Sequence, residues 1–167
     1  MRWLHHLFLD HAALKRAFPR ATLAAIGRAV TEQEKRHRGQ LRVAVEGGVP
    51  LQALLAGSTA RERALELFAR LRVWDTADNA GVLIYLLLAD RRVEIVADRG
   101  IHARVGDIAW ETICGAMQQE FAAGRFEAGM LTGLAAVSDL LAQHFPANPD
   151  DGAGENPNEL PDAPVVV

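Results

Sequence analysis

Residues 82–97 read VLIYLLLADRRVEIVA, and this stretch decides the fold. Val82 to Leu88 is apolar or aromatic at every position. An extended chain of that kind is covered on both faces, so it reads as an interior strand. Asp90-Arg91 offers a tight turn. Arg92 to Ala97 then alternates, with Val93 and Ile95 on one face and Arg92 and Glu94 on the other. Two such runs joined by a polar dipeptide predict a β-hairpin.

Upstream, Gln40 to Glu46 (QLRVAVE) places Leu41, Val43 and Val45 on one face and predicts another strand. A helix separates it from the hairpin: Thr59-Ala60-Arg61-Glu62 is a T-x-x-E capping box. Behind it Ala64, Leu67, Phe68 and Leu71 recur at helical spacing. A strand reached across a helix pairs in parallel, with a right-handed crossover. Two helices precede it, at about 5–17 and 22–37, the second with Gly39 as its stop. Arg61, Arg63, Arg70 and Arg72 on the capped helix read as solvated side chains.

Downstream, Asp98-Arg99-Gly100-Ile101 leaves the sheet as a loop. Asp107 is expected to cap a helix striped by Trp110, Ile113, Cys114, Met117 and Phe121. A last helix spans about 126–144 and ends before Pro146. These elements define an α/β domain over residues 1–146: a small mixed sheet of three to four strands with helices packed on it. Residues 147–167 carry four prolines and five acids with no base, and are expected to be a disordered acidic tail.

The whole chain has a net charge of −3. The tail contributes −5, so residues 1–146 hold 18 bases and 16 acids, a net +2. That is no basic patch, and a nucleic-acid partner is not expected. As a hypothesis, the tail docks on Lys35-Arg36-Arg38. The single cysteine, Cys114, excludes an intrachain disulfide framework and is expected to be a buried inert thiol. The apolar runs are too short to span a bilayer. Without a signal-peptide pattern, the expected setting is soluble and cytoplasmic.

Chemistry is expected where polar groups crowd the strand ends. The second strand of a hairpin returns to where the first began, so the loops at 75–81 and 98–101 share one end of the sheet and Asp90 lies at the other. Asp75, Asp78, Asn79 and Asp98 offer the oxygen ligands that Ca²⁺ or Mg²⁺ prefers. Arg99 suits a phosphate or a carboxylate, and His102 lies within reach of the same loops. The cluster His5, His6, Asp10 and His11 is a weaker zinc candidate. No glycine-rich nucleotide loop and no nucleophile elbow occurs.

The stretches Trp74-Asp75-Thr76, Gly81 to Tyr85, Asp90 to Val96, Asp98-Arg99-Gly100-Ile101, Trp110 and His144-Phe145-Pro146 together resemble the TPM-domain family. That family includes a thylakoid-lumen protein of photosystem II repair and bacterial relatives. Many members have Asn directly before the Gly that opens the central strand, whereas here Ala80 holds that place and Asn79 precedes it. The resemblance implies an α/β sandwich-like domain. It also implies one of two roles, since plant members look like calcium-binding acid phosphatases and other relatives act as accessory or assembly factors.

Two functions follow. One is a non-catalytic binding or assembly module that uses the loops Asp75–Asn79 and Asp98–Ile101 on a protein partner. The other is a metal-assisted phosphatase acting on a phosphorylated small molecule. In it Asp75, Asp78, Asn79 and Asp98 hold Ca²⁺ or Mg²⁺, and Asp98 and Arg99 carry the catalysis. The first is favoured, because no residue is an evident nucleophile or base.

Overall fold

Residues 82–97 do fold as a hairpin, at one side of a four-stranded mixed sheet. The computed structural model describes residues 11–148 and 158–167. Among them lie α1 (His11–Ala17), α2 (Arg20–Glu34), β1 (Gln40–Glu46), α3 (Leu51–Leu55), α4 (Ala60–Arg70), β2 (Gly81–Leu87), β3 (Arg92–Ala97), α5 (Arg99–Val105), α6 (Asp107–Ala122), α7 (Phe126–His144) and β4 (Val165–Val166). The strand order is β3-β2-β1-β4. β2 and β3 are antiparallel, with Val82 opposite Ala97 and Leu87 opposite Arg92. β1 runs parallel to β2, in register from Gln40 with Gly81 to Glu46 with Leu87.

Alternation along the strands feeds two cores. Leu41, Val43, Val45, Val82, Ile84 and Leu86 face one layer, with Ile26 and Val30 of α2, Met117 and Phe121 of α6, and Leu134 and Leu141 of α7. Ala44, Leu83, Tyr85 and Leu87 face the other, against Ala64 and Leu67 of α4 and Leu160. Both faces of β1 and β2 are therefore buried along their whole length.

Several elements depart from the sequence reading. α2 ends at Glu34, three residues before the expected helix end at residue 37. There the Glu34 carboxylate accepts the Leu41 N–H at 2.7 Å, and burial raises that carboxyl to about 7. His37 is fully buried and burial lowers it to about 4, so its ring is neutral at pH 7. Its Nδ1–H donates to the Gly39 carbonyl at 3.1 Å, which leaves Nε2 to accept from Ser138 Oγ at 2.7 Å. Gly39 does not stop the helix: a Cβ there would lie 2.5 Å from Leu141 Cδ2, so its role is close packing of β1 on α7.

Asp98-Arg99-Gly100-Ile101 is not a loop but the start of α5, with Asp98 as N-cap. Asp107 does not cap α6 either. Gly106, at φ 77°, holds the cap position, and Asp107 is the first helical residue, where its charge suits the helix dipole. The capping box at Thr59 and Glu62 forms as predicted. Arg63, expected in solvent, is 6% exposed and pairs with buried Glu46 at 2.8 Å.

The largest correction concerns the tail. Residues 158–167 are ordered against the sheet, contrary to the expectation for 147–167. Val165 and Val166 pair in parallel with Ala44 and Val45, and Leu160 is buried. Composition misses this because the ordering groups lie on the body, along the open edge of β1. Residues 158–167 do not sit on Lys35-Arg36-Arg38, where the one described tail contact is Ala147 N–H to the Arg36 carbonyl at 3.2 Å. Those cations pair with Glu32, Asp139 and Asp78 respectively.

Candidate functional site

The loop from α4 to β2 and the start of α5 meet at one end of the sheet. Three main-chain hydrogen bonds lock the junction: Gln40 N to Ala80 O at 3.2 Å, Asp98 N to Gly81 O at 2.8 Å, and Gly100 N to Asn79 O at 2.9 Å. Asn79 adopts φ 50°, the left-handed region that Asn tolerates. Thr76 supports it locally, its Oγ1 accepting from Ala80 N at 3.1 Å and its carbonyl from Asn79 N at 3.2 Å. Gly100 permits the contact. A Cβ at that position would stand 2.6 Å from the carbonyl oxygens of both Asp78 and Asn79.

The expected convergence of residues 75–81 with 98–101 is therefore present, and the hairpin turn at Asp90 is at the far end of the sheet. The side chains tell a different story from the backbone. Asp75 pairs with Arg72 at 2.6 Å, both exposed. Asp78 pairs with Arg38 at 3.0 Å. Asp98 Oδ1 accepts the Arg99 N–H at 2.7 Å as a helix cap, while its Oδ2 is buried without a hydrogen-bond partner. Among the described residues no three His, Cys, Asp or Glu side chains are grouped to hold a metal ion. Asp75, Asp78, Asn79 and Asp98 thus share a neighbourhood without forming a ready donor set. His102 turns away from them, its Nε2 3.6 Å from Asp107. His5, His6 and Asp10 lie outside the described residues.

The patch is open. Trp74 is 49% exposed beside the Arg72 guanidinium, which lies 6.0 Å from its ring centroid. Arg99 is exposed. Two cavities open elsewhere. One of about 1430 Å³ lies by the hairpin turn, between Ala17, Asp90, Arg91 and Phe126. One of about 520 Å³ runs beside β3, past Glu94, Trp110 and Cys114. Burial raises the Cys114 thiol to about 11, so it stays protonated and inert near pH 7.

Sequence reasoning missed Arg38, Arg72 and Glu159. The Glu159 carboxylate accepts the Ala77 N–H at 3.0 Å. Arg72 was findable, three residues before Asp75. Arg38 and Glu159 reach the loop across 40 and 82 residues of chain, which no local spacing signals.

A mixed sheet between two helical layers, with an exposed polar patch at one end, defines a small α/β domain with a surface site. The chain belongs to the TPM-domain family: the profile described as the TPM domain matches residues 13–140. It is also similar to the solved NMR structure of the BA42 protein from the psychrophilic bacteria Bizionia argentinensis sp. nov.. Identity is 30% over 88% of this chain and 93% of that one, with a TM-score of 0.74. No curated protein matches the chain. Among the described residues, no helix is long and apolar enough to cross a membrane.

Proposed function

We propose that this chain is a non-catalytic binding or assembly module and that the loops around Asp75–Asn79 and Asp98–Ile101 engage a protein partner. The observation that carries the reading is the separate pairing of Asp75 with Arg72 and of Asp78 with Arg38 on an open surface. A hydrolase using these carboxylates needs them pooled on one cation; here each faces its own arginine. Exposed Trp and Arg side chains are the types that anchor protein interfaces. Trp74, Arg72 and Arg99 supply them.

A second reading, metal-assisted hydrolysis of a phosphorylated small molecule, has one observation in its favour. Asp98 Oδ2 is a buried carboxylate oxygen with no hydrogen-bond partner, an atom type suited to a hard cation.

Site-directed photo-crosslinking tests the module reading. A photoreactive residue in place of Arg99 is expected to trap a discrete partner in an extract of the native host. The same residue in place of Arg91, at the far end of the sheet, is expected to trap none. Equal trapping at both positions, or trapping at Arg91 alone, would move the partner away from the loops.

A further inference from the structure

The edge of β1 is built to hold an extended segment, and the residues that hold it belong to the body of the domain. Gln40, fully buried, accepts the N–H groups of Glu159 and Leu160 on Oε1 at 3.0 and 3.1 Å. Arg42, 8% exposed, donates Nη1 to the carbonyl oxygens of Pro161 and Ala163, the second at 2.7 Å. Val165 and Val166 then add to the sheet beside Ala44 and Val45, and Val167 N donates to Val45 O at 3.0 Å. Nearly all of these contacts read main chain. Among the described residues of the tail, the buried side chain is Leu160, at 5% exposure, in the cluster with Leu54, Ala64 and Leu67. Pro161 and Pro164 suit such a groove because they preset an extended backbone and bring no N–H to satisfy.

The occupant is held mostly by side chains of the body rather than by the ladder: Val165 and Val166 are in register with β1, Val167 adds one main-chain bond, and Val166 is 45% exposed. It also fits imperfectly, since Arg42 Nε stays buried with no partner. An unpartnered buried donor is a cost that a better-placed carbonyl removes. If the segment leaves with nothing in its place, Gln40 and Arg42 lose these partners as well. The groove therefore favours exchange of one extended segment for another over standing empty.

From this we infer that the β1 edge is a docking groove for an extended peptide of the acidic-Leu-Pro type followed by β-branched residues, held in cis by residues 158–167 and open to such a segment of a partner by strand exchange. This surface is distinct from the loop patch, and the inference stands whatever those loops bind. The two adjoin at Glu159, whose carboxylate caps Ala77, and the acid of an incoming segment would take over that N–H.

The test uses a fluorescein-labelled peptide of residues 157–167 and the full chain, intact or carrying Leu160→Asp. A tethered segment competes at an effective concentration of about millimolar. The intact chain is thus expected to take up the peptide weakly. The Leu160→Asp chain, its own segment weakened, is expected to bind at least about tenfold more tightly by anisotropy. A labelled peptide itself carrying Leu160→Asp is expected to bind at least about tenfold more weakly to that chain. A cooperatively folded Leu160→Asp chain that takes up no peptide, or binds both peptides alike, overturns the inference. Amide hydrogen exchange on the intact chain decides the matter if that variant does not fold. The N–H groups of Glu159, Leu160 and Val167 are expected to exchange at least about a hundredfold faster than those of β2, as local opening requires. Exchange only at the β2 rate makes the segment a permanent strand and overturns the inference equally.

Discussion

Replacing Arg63 with alanine is expected to cost about 3–5 kcal/mol, because it strands a buried carboxylate. Glu46 is 3% exposed and Arg63 6%. Arg63 Nε donates to both Glu46 oxygens, at 3.2 and 3.0 Å, and Nη2 adds a third bond at 2.8 Å. Tyr85 donates its hydroxyl to Glu46 Oε2 at 2.6 Å, and Arg63 Nη1 reaches Glu66 at 2.7 Å. Burial, with the adjoining carboxylate second, pushes the Tyr85 hydroxyl up, so it stays a donor. The hydrogen bonds to Glu46 hold the Arg63 guanidinium charged. Without Arg63 the charge on Glu46 keeps only the tyrosine. Urea unfolding measures the loss, read from the midpoint at unchanged slope. An Arg63→Met, Glu46→Leu double variant in a Tyr85→Phe background is expected to recover most of it, because removing both partners removes the orphaned charge and no buried hydroxyl is left unpaired. If the double variant is as unstable as Arg63→Ala, the stability of this region comes from packing rather than from the ion pair.

Gly81→Ala is expected to cost about 3 kcal/mol or more, at the top of the range for forced overpacking. A Cβ there would stand 1.9 Å from the Val73 carbonyl oxygen. Val73 has nowhere to retreat. It is fully buried, and its N–H is bonded to Phe68 O at 3.0 Å. Gly81 also begins β2 and accepts the Asp98 N–H, so displacing it breaks the junction that carries the loop patch. The accompanying change is therefore local as well as global: amide protection at Asp98 and Gly100 is expected to fall further than at Ile84. A variant of wild-type stability would mean that the α4–β2 loop adapts freely and does not fix the patch.

The hairpin, β1, the capped α4 and the long helices are legible in the sequence because each carries its signal within one turn or one alternation. Val82 to Leu88 declares an interior strand, and Thr59 with Glu62 declares a helix start. What escaped depends on partners far away in the chain. Arg63 looks solvated until Glu46 is placed beside it. Residues 158–167 look disordered until Gln40 and Arg42 are seen to supply their hydrogen bonds. α5 is hidden by Gly100, a poor helix former that is present because the carbonyls of Asp78 and Asn79 leave no room for a Cβ. At the candidate site, the meeting of the two loops follows from hairpin geometry alone. The pairing of Asp75 and Asp78 with arginines does not, and the proposed separation of a binding surface from a metal centre rests on it.

Phosphate release from a generic phosphomonoester, with Ca²⁺, Mg²⁺ or Mn²⁺ in turn, tests that separation most directly. The expected rate equals the blank for the wild-type chain and for Asp98→Asn alike. Metal-dependent release by the wild-type chain that Asp98→Asn abolishes would contradict that expectation and assign the buried Asp98 oxygen to a cation.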